Sequence, residues 1–219
     1  MIWLHVSQLA LTHTHFTFTR RVHLAETVEL CGAMSVIDAE AVEVCAGLTE
    51  EQLSSCVRPG TWSIAQNLAH LRTTTQFFLP TVDLALAESR ERKLHSQGPF
   101  GLSPYGRLLV WQMDAPAIFK WQAPKAIRPQ LLDRPALELD HFLISQSAMR
   151  QRIADADGLN LTALRFSSPL ASYLRLNLLE FFFVLNAHSR RHLRQANKVR
   201  RALLRPTPKT MPGTRLNLN

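Results

Sequence analysis

Apolar residues recur at helical spacing along several segments of this chain. The first segment begins near Glu26, where apolar positions alternate three and four residues apart and form a single seam. The seam consists of Leu30, Met34, Ile37, Ala41, Val44 and Leu48. Cys31 and Cys45 border it as small core residues, and Gly47 is a suitable C-terminal cap. The pattern predicts a first long helix.

Capping boxes mark the next helix starts. In such a box, a Ser, Thr or Asn side chain and a Glu or Gln three residues later satisfy each other's backbone N–H groups. The segment "TEEQ" at 49–52 predicts a short helical turn, and Ser63 with Gln66 predicts a second long helix that runs to about residue 92. Pro80 is expected to kink or interrupt this helix, because proline has no backbone N–H.

Two more long helices are predicted in the second half of the chain. Asp133 is expected to cap a third helix, with Pro135 in its first turn and Gly158 at its end. Asn177 opens another capping box, and the fourth helix is predicted to continue to about Leu204. No strand pattern competes with these helices. The sequence therefore predicts an all-α fold, a four-helix bundle.

The connection between the second and third helices, residues 98–129, is rich in proline and aromatic residues. It holds five of the twelve prolines and three of the eight glycines. It is interpreted as a long connection that lies over the core, and loops of this kind often form part of a binding site. The predicted organisation is a loose N-terminal extension over 1–24, the bundle over 25–204, and a basic flexible tail over 205–219.

Composition narrows the class of protein. The chain has 219 residues, of which 46% are hydrophobic and 19% are charged, as expected of one globular domain with a sizeable core. No apolar run is long enough to span a membrane, and no secretory signal is recognised. The three cysteines include no C-x-x-C pair, which favours a cytoplasmic location and argues against a disulfide scaffold or a thiolate zinc site.

The positive charge is concentrated at one end of the chain. The formal net charge is +8, and the residues from 181 onward include nine Lys or Arg but no Asp or Glu. This asymmetry is typical either of a partner-binding tail or of a solvated helix face, and the second interpretation is favoured. Binding of nucleic acid through this segment remains an alternative. The cations concerned are Arg190, Arg191, Arg194, Lys198, Arg200 and Arg201.

Two histidines of the fourth helix, His188 and His192, continue its apolar stripe, whereas the arginines around them are expected to point outward. Inward-facing imidazoles are costly to bury unless their ring nitrogens have partners. Either a divalent metal or hydrogen-bonded core histidines would meet this need. A third ligand is best supplied by His70 on the second helix, since His141 lies off the apolar stripe of the third helix and is expected to be exposed.

The segments "LTEEQL…RPGTWSIAQNLAHL" and "NLLEFFFVLNAHSRRHLRQ" resemble the opening and closing patterns of the DinB-like (DinB/YfiT-like) superfamily. The resemblance extends over about residues 25–204. It implies a four-helix bundle with a divalent metal, nickel or zinc, held by His70, His188 and His192. Better understood members transfer low-molecular-weight thiols, and others were proposed as hydrolases. The resemblance therefore implies a metal-dependent enzyme that activates water or a thiol co-substrate.

No catalytic residue is assigned beyond the metal ligands. Glu180 is interpreted as a capping residue, and Trp62 is expected to pack against the end of the bundle rather than line a cleft. A small-molecule substrate is expected, nucleic acid and membranes are not expected as partners, and a homodimer is left open. The rival interpretation is a non-catalytic bundle that binds a ligand or a protein partner.

Overall fold

The computed structural model describes residues 25–114 and 122–205. Six helices and one hairpin follow in the order α1 (Ala25–Cys45), α2 (Glu50–Ser54), α3 (Ile64–Glu91), α4 (Pro104–Asp114), α5 (Leu137–Asp155), β1 (Arg165–Ser168), β2 (Ala171–Asn177) and α6 (Leu178–Leu203), with a 3₁₀ turn at Lys125–Ile127. The predicted extension 1–24 and all but the first residue of the predicted tail 205–219 lie outside the described residues.

The four long helices form the bundle, as predicted. α3 packs against α5 and α6, and α1 packs against the same two helices, so that each helix has two neighbours. α4 lies against α6 on the outside of the bundle, and the antiparallel hairpin β1–β2 leads directly into α6. The all-α bundle is confirmed, and the hairpin and α4 are additions to it.

The core is divided into two apolar clusters. The first, here called the Phe182 cluster, includes Leu30, Met34, Phe78, Val82, Met149, Ile153, Phe181, Phe182 and Leu185. The second, the Phe142 cluster, includes Ile37, Ala41, Leu68, Leu71, Phe142, Leu193 and Val199. Between them, α3 and α6 contribute buried polar side chains, namely Thr74, Thr75, Asn186, Ser189 and His192. The bundle therefore has a polar layer at mid-height.

The three predicted capping boxes are confirmed, with Thr49, Ser63 and Asn177 as the N-cap residues. Pro80, in contrast, does not interrupt α3, which runs unbroken through it. Proline deprives the carbonyl of Gln76, one turn earlier, of its helical partner. Both residues are exposed, so water can satisfy that carbonyl.

Two sequence-based predictions need correction. Asp133 does not cap the third helix: α5 begins at Leu137, and its N-cap Ala136 makes no side-chain capping bond. The connection over 98–129 contains one helix, α4, which the sequence pattern did not reveal. The statement that no strand competes with the helices was wrong, because β1 and β2 pair with Arg165 opposite Asn177 and with an irregularity between Ser167 and Ser168.

A close contact fixes α4 against the start of α6. Glu180 is fully buried, and its Oε1 accepts a 2.5 Å hydrogen bond from Ser103 Oγ while its Oε2 accepts one of 3.2 Å from the Asn177 backbone N–H. A Cβ atom added to Gly106 would lie 2.7 Å from Glu180 Cγ. Glycine at this position therefore lets α4 approach the immobilised carboxylate.

Replacing Gly106 by alanine is expected to destabilise the protein by about 1–2 kcal/mol, because the cost of overpacking exceeds the gain in helix propensity. Gly32→Ala is the matched control: Gly32 is also helical, but a Cβ there would meet nothing within 4 Å. That variant is expected to gain up to about 1 kcal/mol. Urea unfolding of both variants measures the difference, and equal stabilities would contradict the close contact at Glu180.

Candidate metal centre

Three histidines from two helices converge on one point inside the bundle. α3 supplies His70, and α6 supplies His188 and His192 one turn apart. One ligating nitrogen from each ring lies within 4.8 Å of those of the other two. The Nε2 atoms of His70 and His188 are 3.2 Å apart. The structure thus brings together the three residues singled out by the sequence.

Hydrogen bonds at Nδ1, the ring nitrogen that faces away from the centre, set the orientation of His70 and His192. His70 Nδ1 lies 2.6 Å from the backbone carbonyl oxygen of Ile127 in the 3₁₀ turn. His192 Nδ1 lies 3.1 Å from Asn67 Oδ1, and the Asn67 amide donates to the carbonyl of Ser63 at 2.8 Å. Because both oxygens only accept hydrogen bonds, each Nδ1 carries the proton and each Nε2 keeps a free lone pair directed at the centre.

All three imidazoles are held in the neutral form. Burial lowers the pKa of His70, and the hydrogen bond to the Ile127 carbonyl opposes only part of that effect. Burial, followed by the charges of His70 and Arg191, lowers the pKa of His188 to about 3. The pKa of His192 is also well below its ordinary value, first because of burial and then because of the other two histidines and Arg191. Neutral imidazole is the metal-binding form.

The donor set and spacing fit a divalent transition-metal ion. Two nitrogens that each bind one ion at about 2.0–2.1 Å lie roughly 3.0–3.4 Å apart, and the Nε2 atoms of His70 and His188 have this separation. Imidazole nitrogens suit zinc and nickel. His188 Nδ1 is buried and has no hydrogen-bond partner among the described residues.

Trp62 lies against the histidines, contrary to the expectation that it packs at the end of the bundle. Its ring stacks on that of His192 with centroids 5.5 Å apart and lies 4.8 Å from that of His70. It also lines the cavity beside them. The Gly60–Trp62 segment leads into the Ser63 cap of α3, so Trp62 comes about two helical turns before His70 in sequence, and its indole reaches the imidazole. Trp62 therefore covers the centre on one side.

The centre opens into a cavity of about 1700 Å³. α3, α4, the hairpin and α6 supply most of its walls, with the residues around the 3₁₀ turn closing another side. The long connection therefore contributes to the cavity, as expected. The described residues that line it include all three histidines but no Asp or Glu.

Arg191 does not point outward, which corrects that prediction: it is half-buried and lines the cavity, about 60° from His188 on the helix. The long side chains of Lys198 and Arg201 also reach the cavity wall, but both residues are exposed, as predicted. Arg190 and Arg194 do lie on the opposite side, where both pair with Asp114 of α4 at 3.0 and 2.8 Å.

Among the described residues, the candidate metal group includes neither His95 nor His141 nor any cysteine. His141 is exposed on α5, as predicted, and the cysteines Cys31, Cys45 and Cys56 are all free thiols.

Two orienting groups, Asn67 and the Ile127 carbonyl, were not predicted from the sequence. Asn67 could have been found, because it lies three residues before His70 and thus on the same side of α3. A backbone carbonyl has no sequence signature.

The chain is similar to a known protein family and to a solved structure. The family model described as the DinB superfamily matches residues 37–196. A similar solved structure is that of YfiT from Bacillus subtilis, described as a probable metal-dependent hydrolase with an unusual four-helix bundle topology. The TM-score is 0.54 at 14% sequence identity, and the alignment covers 81% of this chain and 87% of that one. No functionally curated protein matches significantly. Within the described part of the chain, no helix is apolar and long enough to cross a membrane.

Proposed function

This chain belongs to the DinB superfamily, and from that membership and the geometry of its histidines we propose that it is a metal-dependent enzyme acting on small molecules. The proposed ligands of a divalent ion, nickel or zinc, are His70, His188 and His192. The proposed reaction is hydrolysis, or transfer of a low-molecular-weight thiol to an electrophile. The free cysteines are consistent with a reducing cytoplasm, which is the proposed location.

The observation that carries the proposal is that three neutral imidazoles converge on one point. Hydrogen bonds at Nδ1 fix the orientation of two of them, His70 and His192. A divalent ion held by three neutral ligands would keep its full charge and would lower the pKa of a bound water or thiol. Without such an ion, the Nε2 lone pairs of His70 and His192 would share the one ring N–H that His188 Nε2 can direct at the centre.

Other residues of the site orient the histidines or limit the access of water to the centre. Asn67 and the Ile127 carbonyl hold His192 and His70 in the tautomer that presents Nε2. Trp62 shields one side of the centre with an apolar ring. No carboxylate is present among the described residues of the cavity wall, so proton transfer is not assigned to an acidic side chain. A solvent molecule or the substrate itself would carry the proton.

The size of the cavity favours one alternative, a bundle that binds a small molecule without turnover. Nucleic-acid binding through α6 has less support. Arg190 and Arg194 share one carboxylate, and Arg200 donates to the carbonyls of Val44 and Ala46 at the end of α1. These contacts leave no continuous basic stripe on the outer face of the helix.

A turnover assay of the metal-loaded protein distinguishes an enzyme from a bundle that only binds a small molecule. Chelated and nickel- or zinc-reconstituted proteins are assayed with a panel of activated esters and with a thiol and an alkylating electrophile. We expect turnover only after reconstitution, and a loss of at least about 100-fold in His70→Ala, because an open metal position supplies the nucleophile. The exposed His141→Ala variant is the control and should keep full activity. Equal rates in the reconstituted wild type and His70→Ala would contradict a metal-dependent reaction.

A further inference from the structure

The lining of the cavity changes in character along α6. The wall beside the N-terminal half of this helix is apolar and includes Phe78, Phe166, Leu174, Leu176, Phe181 and Leu185. The histidines lie at its middle. The wall beside its C-terminal half includes the cations Arg191, Lys198 and Arg201. At 1.5 Å per residue, the distance from Phe181 to Arg201 is about 30 Å along the helix axis. The cavity is therefore long, with an apolar end and a cationic end.

No acidic side chain is found among the described residues at the cationic end. Six of the described lining residues are Arg or Lys, and none is Asp or Glu; the six are Arg58, Arg128, Arg191, Lys198, Arg201 and Arg205. Arg58 precedes α3 and Arg128 follows the 3₁₀ turn, so these cations come from three separate parts of the chain. Cations that converge from several elements on one cavity create a positive potential there, which favours an anionic ligand.

Arg191 is the most buried of these six cations, since the other five are exposed. It lies between His188 and His192 on α6 and is half-buried. Its Nε atom is buried and has no hydrogen-bond partner among the described residues, and no described carboxylate forms an ion pair with it. Its sequence neighbour Arg190 is paired with Asp114. A half-buried guanidinium without an anion is costly, and an anionic ligand in the cavity would remove that cost.

We propose that the substrate is an elongated amphipathic anion: a hydrocarbon chain or ring system that occupies the apolar end, with a carboxylate or similar anionic headgroup that Arg191 binds beside the histidines. The proposal rests on the proposed function in that it places the headgroup next to the reacting centre. The volume of about 1700 Å³ exceeds the roughly 300–1000 Å³ typical of pockets for compact ligands, which agrees with a long ligand.

Calorimetric titration with decanoate tests the proposal, with acetate as the headgroup alone and decan-1-ol as the chain alone. The full chain is titrated before and after chelation, because a carboxylate can also bind a metal. We expect chelated protein to bind decanoate, and Arg191→Gln to weaken this binding at least about tenfold through loss of a charge-assisted hydrogen bond. Arg191→Lys should retain part of the affinity, and binding of decan-1-ol should be the same in both variants.

Arg190→Gln is the matched control, since Arg190 is adjacent in sequence but lies outside the cavity lining. It should change decanoate affinity less than about twofold, as expected of a charge remote from the ligand and screened by salt. Equal decanoate affinity in wild type and Arg191→Gln, or equally tight binding of decan-1-ol and decanoate, would overturn the proposal. Since the titration uses chelated protein, its failure is distinguishable from failure of the metal-dependent reaction.

Discussion

Replacing His188 by alanine is expected to abolish stoichiometric binding of a divalent ion. Only two imidazoles would remain, and the Nε2 atom 3.2 Å from that of His70 would be lost. Wild-type protein purified without an affinity tag and reconstituted with nickel or zinc should hold about one ion per chain, because the described histidines form one cluster of three. Metal analysis after gel filtration measures the ratio for both proteins.

Asn67→Ala separates the orienting role from the ligating role. It removes the acceptor for His192 Nδ1 but leaves all three imidazoles, so metal affinity should fall by roughly 10- to 100-fold without being abolished. The expected order of affinity is therefore wild type, then Asn67→Ala, then His188→Ala. His141→Ala, which alters an exposed imidazole, should match the wild type.

Thermal stability provides a second measurement for the same variants. A ligand that binds only the folded state raises stability by about 2.7 kcal/mol at a concentration 100 times its dissociation constant. Added metal should raise the melting temperature of the wild type and leave that of His188→Ala unchanged. Removing a buried imidazole whose Nδ1 has no partner should not unfold the apoprotein. Equal metal content in the wild type and His188→Ala would show that the three rings are not its ligands.

Breaking the buried ion pair between Arg72 of α3 and Glu138 of α5 is expected to have the largest effect on stability. Arg72 Nε donates to Glu138 Oε2 at 3.1 Å, and the Glu138 side chain is fully buried. Arg72→Met would leave that carboxylate without its counter-charge, which costs about 3–5 kcal/mol. Urea unfolding of chelated protein measures the loss. Chelation removes any contribution from bound metal.

The ion pair also holds the segment that orients His70. Arg72 Nη2 donates to the carbonyl of Gln130 at 2.6 Å, and Glu138 Oε1 accepts a 2.7 Å hydrogen bond from the Leu132 backbone N–H. These bonds fix the chain just beyond Ile127, whose carbonyl meets the imidazole. Arg72→Met should therefore also weaken metal binding, although no ligand is altered.

The exposed ion pair between Arg134 and Glu50 provides the control. Its side chains retain 67% and 45% of their exposure, and such pairs contribute about 0–1 kcal/mol. Arg134→Met should thus change stability by less than about 1 kcal/mol. A double replacement, Arg72→Met with Glu138→Leu, removes both charges and should recover part of the loss. If Arg72→Met were no more destabilising than Arg134→Met, the buried pair would not hold α3 to α5.

The sequence predicts the bundle well where local chemistry decides the structure. Thr49, Ser63 and Asn177 each have a Gln or Glu three residues later, and all three capping boxes form because both partners lie within one turn. The prediction that Asp133 caps the third helix fails because of tertiary contacts. The Glu138 carboxylate binds the Leu132 backbone N–H and Arg72, and the chain before Leu137 is held as a turn rather than as a first helical turn.

α4 and the hairpin were harder to predict. Proline and glycine usually break helices, but Pro104 occupies the first helical position of α4, where proline is tolerated, and Gly106 is needed for the approach to Glu180. The strands are four and seven residues long and are defined by pairing with each other, which a short local pattern does not reveal.

At the site, the histidines on the apolar stripe of α6 were recognisable from their spacing, and His70 from its place on α3. Arg191 was assigned to the outer face because a helical wheel ignores the length of the side chain. It lies about 60° from His188, and an arginine at that angle can reach a wide cavity. The position of Trp62 depends on the path of the loop before α3, which local sequence does not determine.

The division of the core into the Phe182 and Phe142 clusters bears on how this protein can evolve. Substitutions in one cluster share few packing partners with those in the other, so their effects on stability combine almost independently. The polar layer between them adds little to either hydrophobic core, and it can change its chemistry while both apolar halves continue to hold the helices in place. The chemistry of the polar layer can therefore change in evolution with little loss of stability of the bundle.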